Sequence, residues 1–170
     1  MKFLKITTLS VFFLCITTGF SQNETIVGVA AGNDNFTTLV TAVKAADLVG
    51  TLSSDGPFTV FAPVNSAFDA LPSGTVESLL KPENKGTLQG ILTYHVVAGT
   101  FMAKDVIKAI NDSNGSFDVK TVQGGTITLS LSDGNVMLKD ATGAMAKVVI
   151  ADVEASNGVV HAIDSVVMPK

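Results

Sequence analysis

The chain lacks several residue types on which common binding and catalytic sites depend. Its 170 residues contain one cysteine, one tyrosine, no tryptophan and no arginine. Because the cysteine, Cys15, lies in a predicted leader, the exported chain would have no thiol for a disulfide, a zinc site or a nucleophile. Without arginine, it lacks the side chain that best binds phosphate or carboxylate in a bidentate manner. With Tyr94 as its one tyrosine, it has little aromatic surface to stack on a sugar.

The first 21 residues have the pattern of a secretory leader. Met1–Lys5 is cationic, and Leu9–Ile16 is apolar but too short to span a bilayer. Gly19 and Ser21 supply the small residues of a cleavage site, so we predict cleavage after Ser21 and a secreted protein, extracellular or periplasmic. A membrane anchor and a lipoprotein modified at Cys15 are disfavoured, because the apolar run ends at residue 16 and no small residue precedes the cysteine.

The charge balance argues against nucleic acid and anionic membranes as partners. Once Lys2 and Lys5 leave with the leader, nine lysines remain against 15 acidic residues, a net charge of about −6. Such a protein is repelled by phosphate backbones and anionic lipids, and we expect no membrane insertion after leader removal. The rest of the chain is predicted to be a short polar lead-in at residues 22–24 and a single domain at residues 25–169, long enough to bury a sizeable core.

Hydrophobic periodicity predicts helices in the first part of the chain and strands in the last part. Apolar residues recur at helical spacing in two stripes, Phe36–Val43 and Leu88–His95, and the second stripe directs His95 toward the core. From Thr126 to Leu131, apolar and polar residues alternate as in a half-buried strand. Asp133–Gly134 then predicts a type I′ hairpin in which apolar residues face apolar residues across the turn. The expected fold class is therefore α+β.

One stretch, Gly56–Leu71, has the features of a buried strand followed by a helical turn. Phe61 is predicted to face the side opposite to its neighbours, so both sides of the strand should be covered. Pro63 cannot donate a hydrogen bond to a sheet, and the strand should end there. Asn65 or Ser66 can cap the turn that follows.

Three blocks in this order resemble motifs of the fasciclin (FAS1) domain family. They are FTVFAPVNSAF at Phe58–Phe68, LTYHVV at Leu92–Val97 and NGVVHAID at Asn157–Asp164, and the resemblance covers roughly Thr25–Pro169. Val64 stands where a threonine is more usual. The resemblance implies a wedge-like sandwich of about seven antiparallel strands with a layer of short helices along one edge. It also implies extracellular adhesion and a generally non-enzymatic domain.

The resemblance assigns residues to two groups. In the family the Tyr-His motif, here Tyr94 and His95, is linked to adhesion, but the helical stripe favours a core position for His95. Asp152 and Val153 match two positions of integrin-recognition motifs, and the competing interpretation is a solvated acid at a strand end. The expected structural-motif residues are Phe61, Pro63, Asn65, Phe68, His95, Asn157, Gly158, His161 and Asp164.

No catalytic or metal-binding pattern emerges from the sequence. His161 and Asp164 are three residues apart on a predicted strand, where they would point to opposite faces. The chain has no zinc signature and no Gly-x-Ser-x-Gly motif, so we expect no enzymatic activity, metal or cofactor. The predicted function is a secreted adhesion module that binds a cell-surface or matrix protein. The alternative, a carrier of a small hydrophobic ligand, stays open because an apolar core looks the same in sequence.

Overall fold

The computed structural model describes residues 24–170. The predicted leader and nearly all of the predicted lead-in lie outside the described residues. The helices are α1 (Ile26–Ala31), α2 (Thr37–Ala45), α3 (Val49–Leu52), α4 (Asn65–Asp69), α5 (Thr75–Leu79), α6 (Lys85–Tyr94) and α7 (Ala103–Asp112), with single 3₁₀ turns before α2 and α6. The strands are β1 (Phe58–Pro63), β2 (Val96–Ala98), β3 (Ser116–Lys120), β4 (Thr126–Ser132), β5 (Asn135–Lys139), β6 (Met145–Ala155) and β7 (Gly158–Ile163).

The seven strands form one sheet in the order β2-β1-β7-β6-β5-β4-β3. Its two ends approach each other through a bridge between Val97 and Thr121, so the sheet is nearly closed. This architecture confirms the predicted α+β wedge of about seven strands. One pair differs from the expected antiparallel arrangement: β1 and β7 run parallel. A parallel pair needs a long crossover connection, and residues 64–157 lie between these two strands.

The predicted hairpin about Asp133–Gly134 is confirmed. Leu131 pairs with Val136 and Leu129 with Leu138, so apolar residues meet on one face. Ile127 and Leu129 alternate with more exposed neighbours, which is the burial pattern of a half-buried strand.

The central strand β1 separates two hydrophobic clusters. Val60 and Ala62 pack among the residues of α1, α2 and α6, whereas Phe61 packs on the opposite side with Val106 and Ile110 of α7. Both sides are therefore covered, as the sequence predicted. The strand ends at Pro63, again as predicted.

Local details differ where distant parts of the chain decide the conformation. The helix α4 begins at Asn65 without a side-chain cap, so the prediction that Asn65 or Ser66 caps this turn is wrong. Asp47 adopts a φ of 60° and separates α2 from α3.

Candidate functional site

Tyr94 ends α6 and is completely buried. Its hydroxyl donates to the carbonyl of Thr126 at 2.7 Å and accepts the backbone N–H of Ala141 at 3.1 Å. Gly125 lies against the ring, and a Cβ there would be 2.6 Å from Cε2 of Tyr94. Burial, followed by the negative charge of Asp140, raises the pKa of Tyr94. The ring and hydroxyl are thus enclosed by the protein itself.

His95 follows Tyr94 and is also buried, as the helical stripe predicted. Its Nδ1 lies 2.8 Å from the carbonyl of Ile91, and its Nε2 accepts the N–H of Val167 at 3.2 Å. These partners require a neutral ring with the proton on Nδ1. Burial lowers the pKa of His95 to about 4, although the bond to Ile91 and the charge of Asp140 oppose the change. The ring therefore stays neutral at ordinary pH and ties the end of α6 to the C-terminal segment.

Asp140 is a buried acid that sequence reasoning missed. One oxygen accepts bonds from the backbone and hydroxyl of Thr142 and from the N–H of Ala144, and the other accepts the N–H of Met168 at 2.9 Å. Burial alone would raise its pKa, but these donors outweigh burial and lower it. The Asp-Ala-Thr-Gly sequence that starts at Asp140 is an Asx-turn signal from which this role could have been inferred.

His161 connects β7 with two other parts of the chain. It is buried in β7 and stacks on Phe61, with ring centroids 5.7 Å apart. Its Nδ1 accepts the backbone N–H of Asp152 at 3.2 Å, and its Nε2 lies 2.7 Å from the carbonyl of Phe101. These two bonds place the proton of this ring on Nε2, which is the opposite tautomer to that of His95.

Asp152 lies in an irregular part of β6, where the register against β7 shifts between Ile150 and Val153. Its φ is 58°, a left-handed conformation that aspartate tolerates better than most residues. Its side chain is exposed, and one oxygen accepts the N–H of Ala103, the first residue of α7, at 2.7 Å. Val153 is half-buried and packs against the helix-side cluster. Asp152 therefore presents one free carboxylate oxygen, and Val153 presents little apolar surface.

Two asparagines of the motif blocks join distant segments. Asn157 donates to the carbonyls of Leu52 and Ser54 and accepts the N–H of Ile26 at 2.9 Å. Asn65 donates to the carbonyl of Asp34 and accepts the N–H of Thr38 at 3.1 Å and the hydroxyl of Thr37, so it caps α2. Both side chains stabilise the packing of helices that precede them in sequence.

The remaining motif residues also lie in the framework. Phe68 packs in the helix-side cluster, and a Cβ on Gly158 would collide with the carbonyl oxygen of Phe58. Asp164 is exposed and accepts the N–H of Lys147, so it does not converge with His161 on one site. The candidate residues thus belong to separate hydrogen-bond networks.

A surface groove of about 490 Å³ lies where β1 and β7 begin. The segment at residues 99–103, here called the crossing segment, forms part of its lining and is held by hydrogen bonds to Thr59 of β1, His161 of β7 and Asp152 of β6. We call this cavity the β1–β7 groove; it is lined by Asp55, Gly56, Pro57, Thr100, Met102, Glu154, Ala155, Ser156, Asn157, Gly158 and Val159. Because these residues come from three separate segments, no single stretch of the sequence signals it.

Comparison with known proteins fits this architecture. The model of the Fasciclin domain matches residues 34–169. This chain belongs to the fasciclin domain family. Protein sll1483 of Synechocystis is 56% identical over 145 residues, covering 85% of this chain and 73% of that protein. Immunogenic protein MPB70 of Mycobacterium bovis is 38% identical over 156 residues, covering 89% and 72% of the two chains.

Two further similarities involve larger proteins. Transforming growth factor-beta-induced protein ig-h3 of Sus scrofa is 36% identical over 145 residues, which cover 85% of this chain but 19% of that protein. The structure of a FAS1 domain pair from the insect cell adhesion molecule Fasciclin I superposes with a TM-score of 0.72 and 21% identity, covering 84% of this chain and 50% of that one. At this identity, the structural similarity shows the fold alone.

The chemistry available to this fasciclin domain follows from how its polar groups are used. Within residues 24–170, every buried side-chain nitrogen and oxygen has a hydrogen-bond partner. The same residues contain no group of three histidine, cysteine or acidic side chains placed to hold a metal ion. No helix among them is long and apolar enough to cross a membrane. Most of the motif residues hold the framework together, whereas exposed apolar side chains on β6 and exposed acids in the β1–β7 groove are available to another molecule.

Proposed function

We propose that this protein is an exported, non-enzymatic fasciclin module that binds another protein at a cell surface or in a matrix. One observation carries the proposal. Of the four large hydrophobic side chains exposed in the described part of the chain, three lie on β6: Met145, Val149 and Ile150. Val149 and Ile150 are 48% and 41% exposed and lie close in sequence to the free carboxylate oxygen of Asp152. Exposed apolar side chains beside a charged group are typical of protein-binding surfaces.

The β6 patch, defined as Val149, Ile150 and Asp152, refines the expectation from the sequence. The apolar contribution comes from Val149 and Ile150, since Val153 packs against the helix-side cluster. Export is supported by the cationic start and the apolar run of the first 21 residues.

The alternative of a hydrophobic-ligand carrier finds less support. An apolar cavity between the first helices and β1 measures about 20 Å³, and another beside Phe61 and His161 about 10 Å³. Pockets for small ligands are usually roughly 300 to 1,000 Å³. Each of these cavities has room for about one water molecule.

The test is affinity capture from cell-surface and matrix extracts of the host, followed by mass spectrometry. The immobilised protein is expected to enrich a specific extracellular protein, and the double variant Val149→Ser with Ile150→Ser is expected to lose it. Val122→Ser is the matched control, because Val122 is 45% exposed but lies in the turn between β3 and β4. Equal capture by all three proteins would contradict a role for the β6 patch, and no enrichment by the original protein would contradict the proposed function.

A further inference from the structure

The β1–β7 groove is open to solvent, and its lining combines apolar side chains with acidic ones. We propose that it binds a lysine-bearing, extended segment of a partner protein. This inference rests on the proposed function and names a second contact surface and the chemistry of the partner that fits it.

Strand pairing and close backbone packing fix the shape of the groove. Val159 is 3% exposed and pairs in register with Glu154 across β6 and β7, so both side chains share one face of the sheet. Close backbone packing fixes this end of the sheet, because a Cβ on Gly56 would collide with the carbonyl oxygen of Asn157. The absence of a side chain at Gly56 and at Gly158 lets the strands lie this close. The groove therefore keeps its shape without a ligand.

The acidic side chains that line the groove are not paired with a basic side chain of the described residues. Asp55 and Glu154 are both exposed and both line it, and the lining residues include no lysine or histidine. Among the described residues, the ion pairs are Lys85–Asp47 and Lys108–Asp112, both away from the groove. A cationic group entering the groove would meet two carboxylates whose charge no side chain of this domain neutralises.

A lysine side chain complements both the apolar and the acidic residues of the groove. Its aliphatic stem can lie on Met102 and Pro57 while its ammonium reaches Asp55 or Glu154. The hydroxyl of Thr100 can donate to or accept from the backbone of a bound segment. A bare metal ion fits less well, because no third ligand accompanies the two acids among the described residues. The groove, at about 490 Å³, is larger than one lysine side chain and leaves room for the neighbouring backbone of the bound segment.

The proposal is tested by NMR titration of the purified protein with a capped pentapeptide of alternating lysine and serine. The amide signals of Thr100, Met102 and Ser156 are expected to shift saturably. Asp55→Asn and Glu154→Gln should each weaken binding roughly threefold, and together roughly tenfold, as is usual for exposed ion pairs. Both side chains are exposed, so these variants should fold. Glu83→Gln, at an exposed acid on the 3₁₀ turn before α6, should leave the affinity unchanged.

Several results would overturn the groove as a lysine-binding surface. These are shifts confined to other regions, an unchanged affinity of the double variant, or an equal loss in Glu83→Gln. A peptide with acetylated lysines that binds equally well would exclude the ion pair, and spermidine that binds as tightly would identify a free polyamine instead. Self-association that the double variant abolishes would identify a second copy of this chain as the occupant.

The capture experiment separates this inference from the proposed function. If the double variant Asp55→Asn with Glu154→Gln still captures the same extracellular protein with the same affinity, the groove is not its binding surface and the module function stands. If the unmodified protein captures nothing, the proposed function fails, whatever the peptide titration shows. If capture depends on the groove residues and not on Glu83, both hold.

Discussion

The two histidines of the described chain, His95 and His161, make the same kind of connection with opposite tautomers. Each is buried, and each lies between one backbone N–H and one backbone carbonyl. His95 carries its proton on Nδ1 and accepts through Nε2, whereas His161 does the reverse. The difference follows from which ring nitrogen meets the backbone donor. The N–H of Val167 donates to Nε2 of His95, whereas the N–H of Asp152 donates to Nδ1 of His161.

The two connections differ in how far they lie from solvent. Both hydrogen bonds of His95 are fully buried, and they link α6 to the C-terminal segment. The hydrogen bonds of His161 are partly buried and link β7 to the crossing segment and to the exposed irregularity of β6. One histidine therefore holds interior parts together, while the other connects the core to the surface proposed to bind partners. Their substitution should have unequal effects.

The largest effect is expected from His95→Phe. The phenyl ring is larger than imidazole and must fit a closely packed site, and the carbonyl of Ile91 and the N–H of Val167 lose their buried partner. A buried polar group without a partner costs about 1 to 3 kcal/mol, so the free energy of unfolding should fall by roughly 2 to 5 kcal/mol. Urea unfolding followed by circular dichroism at pH 7 measures it. If the free energy of unfolding falls by less than about 0.5 kcal/mol, as for a typical surface substitution, water must replace both hydrogen bonds.

The next effect is a dependence of stability on pH that belongs to His95. Because its pKa is about 4 in the folded protein and near 6.5 when unfolded, the unfolded chain binds a proton more readily between these values. The free energy of unfolding should therefore fall as pH drops from 6.5 to 4, by up to about 3 kcal/mol. Asp140 faces the same ring, but its lowered pKa places its contribution below this window, where stability falls as pH passes through the folded pKa.

Urea unfolding at pH 6.5, 5.5 and 4.5 checks this dependence. His95→Gln removes the titrating group and should flatten the curve in this range, whatever its effect on stability at pH 7. A variant curve parallel to that of the original protein would assign the pH dependence to other groups.

A smaller effect is expected from His161→Phe. The carbonyl of Phe101 and the N–H of Asp152 lose their partner, but both lie near the surface, where water can replace the ring. The phenyl ring of this variant would still pack on Phe61, so we expect a loss of about 2 kcal/mol. Equal losses for His161→Phe and His95→Phe in the same urea experiment would show that water does not reach the carbonyl of Phe101 and the N–H of Asp152.

Sequence reasoning reached the parts of the fold that local patterns decide. The position of His95 followed from a helical stripe, and the hairpin about Asp133–Gly134 followed from a turn signal between alternating strands. Both depend on residues close in sequence. The parallel pairing of β1 and β7 was not predictable in this way, because residues 64–157 separate the two strands in sequence.

The candidate surfaces were harder to predict for the same reason. Asn65 was expected to cap the helix that follows it, but it caps α2, whose first residues lie 27 and 28 positions earlier. The left-handed conformation of Asp152 depends on contacts with His161 and Ala103, which no local motif encodes. The lining of the β1–β7 groove combines the crossing segment with residues 55–57 and 154–159, which are distant from one another in sequence.

The smallest effect concerns Asp152, where the connection made by His161 reaches the surface. Asp152→Ala removes the acceptor for the N–H of Ala103 and places an ordinary side chain at a φ of 58°, so stability should fall by about 1 kcal/mol. Asp152→Asn keeps an acceptor oxygen and tolerates this φ, so its free energy of unfolding should stay within about 0.5 kcal/mol of the original. Comparing the two variants in capture separates framework from contact. If Asn retains stability but loses the partner, the carboxylate charge itself contacts the partner; if both variants keep the partner, Asp152 only positions α7 and the apolar residues beside it carry binding.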